Sequence, residues 1–411
     1  MKADREAKVG LAQGRWRALS VLCVSVVLAM TTWFSATAVT PELGAAFDLS
    51  PAALSWLTNG VQLGFVAGAI LSSLVNLPDI VRLNRLMAGA ALVATLANAS
   101  LLVADGPAGL IAARFVTGAA LAAVYPPAMK LVSTWFVSGR GFALGAIIAA
   151  ITFGSALPHL VRAMTGAVDW HLVVVATSLA TLAASAIFLL FAREGPFPFG
   201  KAVFDPRQIG AVFRDRPLRL AIFGYLGHMW ELYGAWAWLL LYTRHALETQ
   251  GTPSASGASL ITFASIAAGA VGCLLGGVLS DRIGRTLTTA GMMIVSGICA
   301  AGIGLVFGGP LWLFVAVALV WGVSIVGDSA QFSTAVTELA DQRYVGTALS
   351  VQVGLGFALT VFTIWLLPHI AEAVGWRWVF LVLAIGPAFG AASMLRLRRI
   401  PESVRLAGGL R

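Results

Sequence analysis

The sequence predicts an all-α integral membrane protein with twelve transmembrane helices in two pseudo-symmetric six-helix bundles. Three observations lead there: the composition, the spacing of the apolar runs and an internal repeat. Of 411 residues, 59% are hydrophobic and 11% charged, against about 25% charged in a soluble domain. So few charges cannot cover a soluble surface of this size, and the remaining apolar surface must face lipid. Runs near the length that a hydrocarbon core about 30 Å thick requires, about 20 residues, succeed one another at 18–39, 55–76, 86–104, 110–132, 141–160, 171–192, 219–243, 257–279, 290–307, 311–334, 346–368 and 377–395.

The first run follows a polar, basic stretch, 1–17, and ends in Ala36-Thr37-Ala38, the small-x-small form of a signal-peptidase site. Its length, the bulky Trp33-Phe34 just upstream and the similar runs behind it favour a first transmembrane helix. Short loops join spans 2 to 6, so 18–192 forms the first bundle. The longest non-spanning stretch, 193–218, carries Pro196, Pro198, Lys201, Pro206, Arg207, Arg214 and Arg216 and reads as a linker. Residues 219–395 form the second bundle and 396–411 a tail.

The halves repeat each other. Met30-Thr-Thr-Trp-Phe-Ser-Ala-Thr-Ala38 in span 1 parallels Met229-Trp-Glu-Leu-Tyr-Gly-Ala-Trp-Ala237 in span 7. Pro158-His159 ending span 5 parallels Pro368-His369 ending span 11, and Val168-Asp-Trp-His entering span 6 parallels Val374-Gly-Trp-Arg entering span 12. The net charge of +9 would suggest a nucleic-acid partner in a soluble protein. With both termini on one side, however, 23 of the 27 basic residues fall on that side. The excess is therefore topological: it predicts cytoplasmic termini and removes the case for nucleic acid. Cys23, Cys273 and Cys299 each lie in an apolar run and form neither a disulfide framework nor a metal motif.

Between spans 8 and 9 the chain reads Gly277-Val-Leu-Ser-Asp281-Arg282-Ile-Gly284-Arg285. This G-x-x-x-D-R-x-G-R string, in a twelve-span chain of two similar halves, resembles the loop signature of the major facilitator superfamily of secondary transporters. Loop 2–3 keeps Asp79, Arg82 and Arg85, but Val75 stands where the leading Gly would be. The resemblance implies a cytoplasmic gate in which Asp281 meets the start of span 5 and Asp79 the start of span 11. The plainer reading is that Arg282 and Arg285 only retain the loop inside. Arg114 with Gly118 resembles the family's span 4 arginine motif, whereas span 5 lacks the Gly-Pro motif of family antiporters. Small residues recur every four positions in span 2 (Gly60, Gly64, Gly68, Ser72), span 5 (Gly141, Gly145, Ala149) and span 8 (Ser265, Gly269, Cys273, Gly277). Such stripes let backbones approach closely in lipid, and the resemblance implies contacts of span 2 with 11 and span 5 with 8.

Ionisable residues in mid-span are costly and point to function. Glu231 lies mid-way along span 7, with His228 three residues before it on the same face. The pair is suited to proton exchange; the alternative is a fixed pair holding helices together. Asp328 and Gln331 in span 10 offer polar contacts on one side of a helix. Gly327-Asp328-Ser329 superficially resembles a lipase nucleophile block but has no evident partners. Tyr125-Pro126-Pro127 falls at nearly the equivalent place in span 4 and predicts a kink. The family places spans 1, 4, 7 and 10 around a central cavity, so Trp33, Arg114, Tyr125, Tyr233, Asp328 and Gln331 become candidate cavity residues.

The expected function is secondary active transport by alternating access in a plasma (inner) membrane, coupled to protons through Glu231 and His228. A small organic anion or carboxylate is the first candidate substrate. Proton-exchange export of metabolites or drugs is the alternative within the class, and a non-transporting receptor the alternative outside it. No H-E-x-x-H, G-x-S-x-G or Walker string is present, which argues against an enzyme. No cofactor or metal is expected; the expected partners are substrate, protons and lipid, and a monomer is expected.

Overall fold

The computed structural model describes residues 2–136, 139–166, 169–197, 206–341 and 344–411, with side chains from residue 14 onward except Arg140 and Pro206. Val168, Pro198 and Lys201 lie outside the described residues. Ten stretches are long and apolar enough to cross a membrane: Pro51–Leu74, Leu83–Val103, Pro107–Ser133, Gly141–Met164, Trp170–Phe191, Ala255–Ile283, Arg285–Val306, Leu311–Leu339, Val345–Val374 and Trp376–Arg399. They are spans 2–6 and 8–12 of the twelve-helix fold. The other two differ for physical reasons. Span 1 runs Lys2–Met30, breaks at Thr31–Phe34 and resumes as the short helix Ser35–Ala38. Span 7 is one 34-residue helix, Arg216–Thr249, whose charged ends extend beyond the apolar run 219–243.

Two further breaks sit at matching places in the halves. Span 4 divides into Pro107–Leu121 and Tyr125–Ser133, and span 10 into Leu311–Gly327 and Ser329–Leu339. In span 4 the prolines occupy the first turn of the second segment, where a missing N–H costs nothing. The break therefore falls just upstream of them, with Ala123 N and Val124 N turning back to Ala120 O and Leu121 O.

Large apolar side chains such as Leu71, Leu96, Leu190, Ile298 and Leu305 point outward, as lipid-facing surface requires. Span 2 meets span 11 and span 5 meets span 8, as the resemblance implies, but the span 2 stripe faces elsewhere. Gly60, Gly64 and Gly68 face span 4, where an added Cβ at Gly64 would overlap the Phe115 carbonyl and one at Gly68 the Ala119 carbonyl. The stripe thus closes span 2 on its own half, and span 2 meets span 11 through rings instead, Phe65 on Phe357 at 4.4 Å. Span 5 does meet span 8 across the halves, with Gly145 at the Cys273 carbonyl. On span 8, Gly272 and Gly276 lie against the backbone of span 10 in the same half.

Candidate functional site

A cavity of about 400 Å³ lies between the halves at the face that carries loop 2–3 and both termini. Span 2 contributes Ala69, Ser72, Ser73 and Asn76 to its wall, span 4 Pro126, Met129 and Lys130, and span 10 Ala330, Ser333, Thr334 and Thr337. Loop 2–3 adds Asp79, whose Oδ1 lies 2.6 Å from Lys130 Nζ.

An aromatic layer joins the halves one helical turn further in. Trp33 packs on Phe65 at 5.1 Å, on Tyr233 at 5.9 Å and on Phe357 at 5.9 Å. Tyr233 lies 5.3 Å from Phe357, and Tyr125 stacks on Phe65. The candidates Trp33, Tyr125 and Tyr233 thus come together, in the layer and not on the cavity wall. Around it, the side-chain amides of Asn59, Gln62 and Gln352 and Trp33 Nε1 are buried without hydrogen-bond partners among the described residues. Buried polar groups without partners are costly, so these are groups that a polar solute or water could satisfy.

The opposite face is closed by Arg162, one of the four basic residues that fall outside the basic face. It is fully buried and bridges the halves. Its guanidinium donates to Glu42 of the first half, through Nε to Oε2 at 3.3 Å and through Nη2 to Oε1, and to the second half through Ala255 O at 3.3 Å and Ser259 Oγ. An arginine at a span edge together with a lone glutamate in loop 1–2 was the available signal.

Arg114 corrects the expectation of a cavity residue. It is fully buried inside the first half, and all five N–H groups are used: Nε donates to Leu57 O, Nη1 to Ser35 Oγ and Asn98 Oδ1, and Nη2 to Thr32 O and Trp33 O. The break in span 1 frees the Thr32 and Trp33 carbonyls, which must find donors in a dry interior. The guanidinium supplies them, and no donor is left for a substrate.

The second half holds the acids. Glu231 is buried and accepts from Ser296 Oγ of span 9 and Trp321 Nε1 of span 10, each at 2.7 Å. The expected Glu231–His228 pair does not form. His228 Nδ1 instead stands 2.9 Å from Asp328 Oδ1, at an ion-pair distance, with both side chains buried. Spans 7 and 10 run antiparallel, so His228 meets Asp328 at the span 10 break while Glu231 meets Trp321 two turns away. Neither Glu231 nor Asp328 lines the cavity. Gln331 is also buried, accepting from Arg285 Nη1 at 3.0 Å.

The loop signature divides. Asp281 is exposed, 3.4 Å from Arg285 Nη1, in a small crevice with Gly141 and Gly145 at the start of span 5. Arg285 makes a two-pronged contact with Glu338, Nη2–Oε1 3.0 Å and Nε–Oε2 3.5 Å, and donates to Ser280 Oγ at 2.6 Å. Gly284, at φ +92°, lies against the carbonyls of Leu410 and Arg411. An added Cβ at Gly277 would meet nothing, and Arg82 and Arg282 are exposed. Asp79 pairs with Lys130 of its own half, and residues 342–343, just before span 11, lie outside the described residues. Lys130 and Glu338 escaped the sequence reading; the signal for Lys130 was a second cation, besides Arg114, inside the apolar run 110–132.

Comparison with known proteins agrees with this geometry. The family model described as Major Facilitator Superfamily matches residues 21–364 and 253–409. Among curated relatives, the chain is 32% identical over 224 residues to the "Cephamycin export protein CmcT" of Amycolatopsis lactamdurans, covering 51% of this chain and 45% of that protein. It is 27% identical over 192 residues to the "Probable sulfoacetate transporter SauU" of Cupriavidus necator, covering 42% and 44%. It is 26% identical over 179 residues to the "MFS-type transporter pytF" of Aspergillus terreus, covering 43% and 58%. The matched segments thus span about half the length of these relatives. The fold matches a bacterial homolog of the human lysosomal transporter Spinster, solved inward-facing and unoccupied, with TM-score 0.69, 16% identity and coverage of 94% and 99%. It also matches the E. coli fucose:proton symporter FucP, with TM-score 0.66, 13% identity and coverage of 93% and 98%.

Proposed function

The chain belongs to the Major Facilitator Superfamily, and we propose that it is a secondary active transporter that moves a small organic solute by alternating access, coupled to protons. One observation carries this reading. Both halves wall a cavity at one face, while the aromatic layer and the Arg162 bridge close the path to the other. Such an arrangement is one of two end states of a rocking pair of bundles, and transport needs the Arg162 bridge to open as the cavity closes. The distribution of basic residues supports a plasma (inner) membrane location with the cavity face cytoplasmic.

The coupling sites of this reading are Glu231 and the His228–Asp328 pair. Mid-membrane acids with few donors can take up and release a proton as hydration changes, and Asp328 lies two residues from the cavity wall at Ala330. Export by proton exchange is the second reading, favoured by the resemblance to CmcT. Reconstituted protein distinguishes these. Symport predicts solute uptake into vesicles along an imposed inward proton gradient, exchange predicts uptake driven by an outward proton gradient, and binding without counterflow excludes transport altogether.

A further inference from the structure

We propose that Lys130 anchors a small organic anion, a carboxylate or sulfonate, in the cavity between the halves, with Asp79 as the resident counter-ion that the anion displaces. This deepens the transport reading and rests on it. Among the described residues lining the cavity, Lys130 is the one cation and Asp79 the one anion. Their side chains are 19% and 18% exposed, dry enough to strengthen an ionic contact and wet enough to exchange partners. Lys130 Nζ has three donors. One goes to Asp79 Oδ1 at 2.6 Å and one to Pro78 O at 3.3 Å, which leaves one for a ligand.

The surrounding wall is rich in donors. Ser72, Ser73, Asn76 and Ser333 all line the cavity, and their side chains make no hydrogen bond to other described residues. Four neutral donors around one ammonium suit a group with several acceptor oxygens and a negative charge. The volume of about 400 Å³ falls in the range of small-molecule sites. Asp79 sits on the short helix Leu77–Ile80, entered through Asn76 at φ +51°. Its carboxylate holds the place on Lys130 that a substrate carboxylate would take. A pair with that geometry competes with the ligand, so each partner has an opposite effect on affinity when removed.

The test uses the full chain in detergent. Thermal stabilisation by sodium succinate, sulfoacetate and methanesulfonate is titrated against glucose and choline chloride at matched ionic strength. The proposal expects at least one of the three anions to raise the melting temperature and the two controls not to. Lys130→Met should weaken that anion about tenfold or more, and Lys130→Arg should retain it. Asp79→Asn should tighten binding about threefold, because the internal competitor is gone. No stabilisation of the wild type by any of the three anions overturns the proposal, as does an unchanged affinity in Lys130→Met. Weaker binding in Asp79→Asn would make the pair a structural tie and overturn it too. If Lys130→Met does not fold, the opposite signs expected of Asp79→Asn and a structural tie decide alone. Counterflow of the stabilising anion separates this from the transport reading. Lys130-dependent binding without counterflow removes transport and leaves the site; counterflow with unchanged half-saturation in Lys130→Met does the reverse.

Discussion

The two halves place polar clusters at matching positions and fill them with opposite chemistry. In the first half, span 4 supplies Arg114, span 3 Asn98, and span 1 the bare carbonyls of Thr32 and Trp33. In the second, span 10 supplies Trp321, span 9 Ser296, and span 7 the Glu231 carboxylate. Thr32 and Glu231 are equivalent in the repeat, 199 residues apart. The difference follows from the backbone. Span 1 is broken and needs donors, so a cation with five N–H groups satisfies it; span 7 is continuous, and its side-chain acid needs only two. The first cluster is a saturated structural tie, and the second leaves a buried acid with spare acceptor capacity.

The largest expected effect breaks this comparison on the first side. Arg114→Met strands several buried acceptors, each worth roughly 1–3 kcal/mol, and should destabilise by more than about 3 kcal/mol. Arg114→Lys should not rescue, since one ammonium cannot reproduce the planar fork. Melting temperature and yield report both, and a stable, transport-competent Arg114→Met would mean that the tie is dispensable. On the second side, Glu231→Gln keeps a carbonyl oxygen to accept from Trp321 and an amide N–H to donate to Ser296 Oγ, so stability should change by only about 1 kcal/mol. Its uptake driven by a pH gradient should nonetheless fall at least about tenfold while counterflow persists; wild-type pH-driven uptake would contradict the coupling role.

A third experiment sharpens the contrast between the faces. Arg162→Gln removes the link from Glu42 to Ala255 and Ser259, and labelling of a cysteine placed near Ser259 should rise several-fold as the closed face opens more often. Unchanged labelling would leave closure to the aromatic layer alone. The smallest effect is expected from Glu338→Gln. Glu338 holds Arg285 and the backbone N–H of Ala407, and losing the charge should cost about 1 kcal/mol and raise proteolysis of the tail after Arg399. A tail that stays equally protected would show that Leu406 packing, not Glu338, secures it.

Much of the fold was legible in the sequence, because each apolar run is a local property and the repeat is visible as paired strings such as Pro158-His159 and Pro368-His369. Glu231 was legible as a buried acid for the same reason: a charge inside an apolar run stands out. Its partners were not. His228 shares a helical face with Glu231 but meets Asp328 of span 10, while Glu231 takes Ser296 of span 9 and Trp321 of span 10. Arg114 was visible as a charge in span 4 but not as a structural tie, since its acceptors are carbonyls freed by a break elsewhere.

The sequence by itself determined that the chain crosses the membrane many times, that it is a duplicated pair of bundles, and where its few buried charges lie. Composition, run length and charge distribution set those properties without reference to neighbours. Only the tertiary structure decided which charges are tied and which are available. It joined Asp79 to Lys130 of its own half, turned the span 2 glycines toward span 4, and placed Arg162 across the closed face. Those outcomes depend on which helices touch and at what depth, and side chains in a low-dielectric interior take whichever partner lies within hydrogen-bonding reach.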